Sequence, residues 1–161
     1  MKVHNNLPDT SSVWVYQSNK EFTEEKVKVV QEKLNHFIGS WEAHGTRLHA
    51  VAEIFYNRFI VLFVDETPQQ ATGCSIDKSV AFIKSLEADL GIQLMDRMNL
   101  AYQNNNKVVS VSMAEFQTLI KEGKLKESTV VYNNMVQTKQ EFISAWEVPA
   151  KESWHQNLFM R

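Results

Sequence analysis

The spacing of apolar residues changes period several times along the chain, and each change marks an element. "VWVYQS" (13–18) alternates with period two, so that Val13 and Val15 face one way and Trp14 and Tyr16 the other, as in a strand. The period then lengthens: Val27, Val30, Leu34, Phe37, Ile38 and Trp41 recur at helical spacing as one apolar stripe. Thr23 offers an N-cap hydroxyl before that stripe, Glu24 and Glu25 fall in the first turn where the helix dipole favours negative charge, and Gly45 is the expected stop.

"RLHAVAEIFYNRFIVLFVDE" (47–66) predicts two strands around a tight turn near Asn57 and Arg58. The second, "FIVLFV", is apolar on both faces and suits a central strand. In "ATGCSIDKSV" (71–80) Ser75 is expected to cap the amides that follow, with Asp77 in the favourable field of the helix start. Ile76, Val80, Ile83, Leu86 and Leu90 share one face, and Gly91 ends that helix. A further strand pair, "RMNLAYQ" and "KVVSVS", turns at the asparagine run 104–106. Ser112 with Glu115 forms a capping box for a short helix through Phe116, Leu119 and Ile120 to Gly123. "STVVYNN" (128–134) is one more strand, and Thr138 with Glu141 opens a helix through Phe142 and Trp146 that Pro149 closes. Residues 1–12 are polar and expected to form a flexible lead, whereas the tail 150–161 carries Trp154, Leu158 and Phe159 and is expected to dock.

The order β-α-β-β-α-β, followed by β-α-β-α, predicts an α+β sandwich: an antiparallel sheet with helices on one face. Its first six elements match a ferredoxin-like start, with β-α additions at the C-terminal end. No composition break, repeat or low-complexity linker divides the chain, so one domain, 1–161, is expected.

Composition narrows the function classes. A chain of 161 residues buries roughly 70% of its unfolded surface, and 43% hydrophobic residues supply the core. Seventeen basic against nineteen acidic residues give a formal net charge of -2, which provides no electrostatic footprint for nucleic acid or an anionic membrane. One cysteine rules out an internal disulfide and suits a reducing compartment. With no apolar secretory segment at the start and no run near 18 apolar residues, a cytoplasmic domain is expected.

Candidate chemistry gathers at the start of the second helix. Cys74 lies where a helix dipole lowers a thiol pKa, and as a nucleophile it would need a base such as His44 or His49. The bland alternative is a small residue packed at a helix entry. Free amides at 76–78, with Gly73, Ser75 and Lys78, could hold a phosphate or carboxylate, although every helix start has such amides and Asp77 opposes an anion. Asp65 and Glu66 leave a buried strand, a place for ligand-binding groups and equally for solubilising loop residues. Histidine and cysteine spacing matches no metal pattern, and no cofactor is implied. Trp14 and Tyr16 on one strand face could stack bases in an RNA-associated protein, but aromatics at such positions are more often core.

"VWVYQSNKEFT", "GSWEAHG", "ATGCSIDKSVAFIK" and "YNNMVQTKQEF" with its following "W.VP…SWH" together resemble an uncharacterised family of small bacterial proteins, often labelled ABC transporter ATPase. The resemblance spans nearly the whole chain and implies a compact cytoplasmic domain, with no catalytic assignment. The ATPase label fails on the residues, because phosphate binding of that type needs GxxxxGK[ST] and glycines stand only at 39, 45, 73, 91 and 123. The expectation is therefore a domain that binds a small ligand or protein partner, with self-association open. A small enzyme using Cys74 is the rival, and an RNA-associated protein the third reading.

Overall fold

Residues Phe59–Asp65 are buried along their whole length. A strand apolar on both faces can be satisfied only by cover on both sides, and the rest of the chain supplies it. The computed structural model describes residues 2–160; Met1 and Arg161, the ends of the expected domain, lie outside the described residues. In chain order the elements are β1 (Ser12–Gln17), α1 (Glu24–Ser40), β2 (Glu42–Ala43), β3 (Thr46–Arg47), β4 (His49–Phe55), β5 (Phe59–Asp65) and α2 (Gly73–Leu90). There follow β6 (Asn99–Asn104), β7 (Lys107–Ser112), α3 (Met113–Lys121), β8 (Val130–Tyr132), α4 (Lys139–Ala145), β9 (Glu147–Pro149), a 3-10 turn (Ala150–Glu152) and α5 (Gln156–Phe159). The result is a mixed α+β fold with antiparallel sheets.

One sheet has the order β1-β5-β4 and another the order β7-β6-β8-β9, while β2 and β3 form a two-residue ribbon. The first sheet sorts its side chains by parity. Trp14, Tyr16, Ala50, Ala52, Ile60, Leu62 and Val64 pack with Val30, Leu34 and Ile38 of α1 and Ile83 and Leu86 of α2. Val13, Val15, Phe55, Phe59, Val61 and Phe63 pack instead with Ala101 and Tyr132 of the second sheet and Phe142 and Trp146 around α4. β1, β5 and β4 stand in the order that a ferredoxin-like start requires. The fourth strand of such a sheet would lie beside β1, but β6 pairs with β7 and β8.

Several boundaries differ from expectation for local reasons. α1 stops at Ser40, because Trp41 turns extended and inward, where its Nε1 donates to the Ser75 carbonyl at 2.8 Å. Gly45 (φ +74°) then serves the ribbon turn beside His44 (φ 53°), not the helix end. The β4–β5 turn places Tyr56 and Asn57 at positive φ, one residue earlier than predicted. Pro149 does not close α4, which ends at Ala145; it pairs with Val130 in edge strand β9, a place where a missing N–H is tolerated. The docked tail buries Leu158 beside Phe116 and Leu125, with Trp154 and Phe159 packed on the same cluster.

The opening residues, read as a flexible lead, are tied down at several points. Lys139 Nζ donates to the carbonyls of Asn5 and Leu7, Leu7 is buried, and the Glu53 carboxylate accepts from His4 N–H and from Asn5 Nδ2.

Candidate functional site

The first two turns of α2 hold five of the candidate residues. Thr72, not Ser75, is the N-cap: its hydroxyl accepts from Ser75 N–H at 3.2 Å, and Ser75 Oγ accepts from Thr72 N–H at 2.7 Å. The two hydroxyls satisfy each other's backbone donors, so the cap stands three residues ahead of the predicted one and the helix begins at Gly73. Cys74 is exposed there, as are Gly73, Asp77 and Lys78. A Cβ at Gly73 would meet nothing within 4 Å, so no close approach requires glycine there. His44 is exposed in the ribbon turn, and among the described residues no hydrogen bond joins Cys74 to His44 or His49.

Asp65 and Glu66 hold the loop that leads into α2. Asp65 Oδ1 accepts from Thr67 N–H at 3.0 Å, and its other oxygen lies 3.5 Å from His49 Nδ1. The bonds from Thr67, and secondarily His49, hold the Asp65 carboxyl below the ordinary carboxylate range. Glu66 accepts from Ala71 N–H and from the Ser12 hydroxyl, which fastens the loop to β1. Both carboxylates therefore have partners within the fold. Among the described residues no group of three or more His, Cys, Asp or Glu side chains could hold a metal ion, and no helix is long and apolar enough to cross a membrane.

A concavity lies elsewhere, where the fourth strand of a ferredoxin-like sheet would run. A cleft of about 670 Å³ follows β1 over Ser12–Gln17, between the two main sheets. Backbone parity explains it. Ser18 N–H donates to Arg58 C=O on the β5 side, whereas Val13 N–H donates to Gln137 C=O and Lys139 N–H donates to Ser11 C=O on the other. Because direction alternates along a strand, the Val13 carbonyl, both backbone groups of Val15 and the Gln17 N–H point away from β5 into the cleft. Among the described residues no hydrogen-bond partner meets them.

The cleft is closed at each end. The 137–139 segment binds the start of β1, as above, and at its far end Gln17 Nε2 donates to Asn99 C=O. Asn134 Nδ2 donates to Gln17 Oε1 and Trp146 Nε1 to Asn134 Oδ1, so the carboxamide network reaches the core. Ile76, Val80, Leu94 and Met95 line the helical side, Tyr132 and Val136 the side of the second sheet, and Asp96, Arg97 and Trp154 the remaining rim. Beneath this wall the Tyr132 and Tyr56 hydroxyls both donate to Glu147 Oε1, at 3.1 and 2.5 Å. Burial first, then the Glu147 carboxylate, pushes the Tyr56 hydroxyl up to about 12 and raises that of Tyr132 as well. Both phenols therefore act as hydrogen donors over the physiological range.

A shallower groove of about 560 Å³ runs between α1 and α2, over the stacked rings of Phe37 and Phe82 and the Lys33–Asp89 ion pair. It presents side chains of two intact helices, whose backbone groups are already paired.

None of Gln17, Arg97, Asn99 or Asn134 is a sequence candidate, and β1 itself entered only through Trp14 and Tyr16. The available signal was a strand without charge, "SVWVYQ", with Asn99 opening one later strand and Asn134 just beyond another. Comparison with family models, with curated proteins and with solved structures finds no match.

Proposed function

We propose that the protein is a binding domain, of cytoplasmic location and akin to the small bacterial family its four motif stretches resemble, that takes its ligand in the cleft along β1. The observation that carries this reading is the run of unpaired backbone groups from Val13 to Gln17 inside a cleft of about 670 Å³. Ligand sites are concave, mostly apolar and supplied with a few convergent polar groups. Here the apolar walls come from α2, the 94–95 segment and Tyr132, and the polar groups from the β1 edge, Asn134 and Arg97. Exposed Cys74 suits a reducing compartment and lies outside the cleft lining.

The test is a ¹H–¹⁵N correlation titration with a library of aromatic amide fragments. Fragments should shift the amides of Val13, Val15, Gln17, Asn99 and Asn134, and Trp14→Ala should weaken them. Shifts confined to the α1/α2 groove, or none anywhere, would sink the proposal.

A further inference from the structure

The four open backbone groups of β1 have a spacing that narrows the ligand. We infer that the cleft takes a peptide segment in extended conformation, added antiparallel to β1 as a fourth strand of its sheet; the inference rests on reading the cleft as a binding site. A peptide residue opposite Val15 would donate to its carbonyl and accept from its N–H. The residues two positions to either side would donate to the Val13 carbonyl and accept from the Gln17 N–H. Those outer contacts stand about 7 Å from the central pair, twice the rise of a strand residue. A polypeptide repeats its donors and acceptors at that interval, whereas a single amide satisfies Val15 alone.

The walls agree with a strand as occupant. Leu94 and Met95 belong to the core on the Trp14 and Tyr16 side of β1, and Tyr132 and Val136 to the core on the Val13 and Val15 side. Side chains of an added strand would alternate between these two surfaces, so the segment should be apolar on both faces. β1 carries no charge between Ser12 and Gln17, and among the described residues the only charged side chains on the cleft lining are Asp96 and Arg97. Residues 94–97 and 134–137 line the cleft on the two sides of β1, which suits a single free segment better than a folded edge that brings its own sheet.

The test starts from a displayed library of short linear peptides selected against the intact protein. An enriched peptide, made synthetically, should slow amide exchange at Val15 and Gln17. N-methylation of the peptide nitrogen that faces the Val15 carbonyl should weaken binding by about tenfold, as should Val15→Pro, which removes the outward N–H. Peptide methylation leaves the protein untouched, so that arm stands whether or not Val15→Pro folds. A library that enriches nothing, protection that appears away from β1, or a methylated peptide that binds equally well overturns the strand addition. Fragments that occupy the cleft while no peptide does would end this inference and leave the binding reading intact; fragments that avoid the cleft would end the binding reading itself.

Discussion

β1 and β4 are the two edges of one sheet, and they are guarded in opposite ways. β4 carries His49 and Glu53, and the Glu53 carboxylate draws the opening residues against the strand through His4 and Asn5. Charge on an edge deters another strand from pairing with it. β1 has no charged residue over its six positions and is set back in a cleft between sheets. An edge kept apolar and unpaired invites association, and walls that restrict access leave room for a narrow occupant. The difference separates a protected edge from a receptive one.

The largest expected effect tests the parity on which that contrast stands. Tyr16→Pro removes an N–H directed at β5 and should destabilise the fold by about 3 kcal/mol or more. Val15→Pro removes an N–H that points into the cleft and should cost about 1 kcal/mol, chiefly through changed packing. Urea midpoints of the two variants decide it. Equal losses would mean that β1 has no open side.

The cleft rim should also respond to acid. Trp154 stacks on His155 at 4.0 Å between ring centroids, and His155 is fully buried with its Nδ1 2.7 Å from Ser153 Oγ. Burial lowers the His155 pKa from 6.5 to about 4. The unfolded chain therefore takes a proton near pH 6.5 that the folded chain refuses until about pH 4. Stability is unaffected above that window, falls as pH drops through it, and levels below it, for a total of roughly 3 kcal/mol. Melting curves between pH 7 and 4 should show this loss in the wild type and much less of it in His155→Gln. Parallel curves for the two would remove the histidine as the cause.

At the guarded edge the expected loss is smaller. Glu53→Ala deletes the acceptor for two donors of the lead and should cost about 1.5 kcal/mol, since bonds to a charged group are worth more than neutral ones. Limited proteolysis should then cut within residues 2–10 before the rest of the chain. Unchanged cleavage would show that Lys139, not Glu53, holds the lead.

What the sequence made legible follows from which forces are local. Helical stripes, the Thr23 and Ser112 caps, and the left-handed Gly91 are settled within a few residues, and the structure has them. The buried β5 is likewise visible in "FIVLFV", because its cover must come from both faces. Strand partnership is not local. β6 alternates as any strand would, and nothing in "NLAYQN" says that it pairs with β7 and β8 and leaves β1 open. The cleft is a product of that choice, so its carboxamides could not be grouped from the sequence. Cys74 stands out in the sequence instead, because a helix start is readable from neighbours alone.

The smallest effect concerns that helix start, which seats Ile76 and Val80 on the wall beside β1. Thr72→Ala removes the cap acceptor for Ser75 N–H and should cost about 1 kcal/mol. Ser75→Ala keeps that bond and loses the contacts of Ser75 Oγ with the N–H, carbonyl and hydroxyl of Thr72, groups that water can reach at half-buried Thr72, so it should cost less; Ser75 is buried, and alanine adds no volume. Exposed Cys74→Ala should cost least of the three. The ranking has a local readout as well. Loosening the first turn should speed amide exchange at Ile76, on the receptive side of the sheet, and leave Ala52 and Ile54 of β4 unchanged. If Ser75→Ala proves the costlier change, Ser75 is the cap, as the residue pattern predicts. Ile76 would then sit at the fraying end of the wall, and the cleft along β1 would be wider and less selective than its present lining implies.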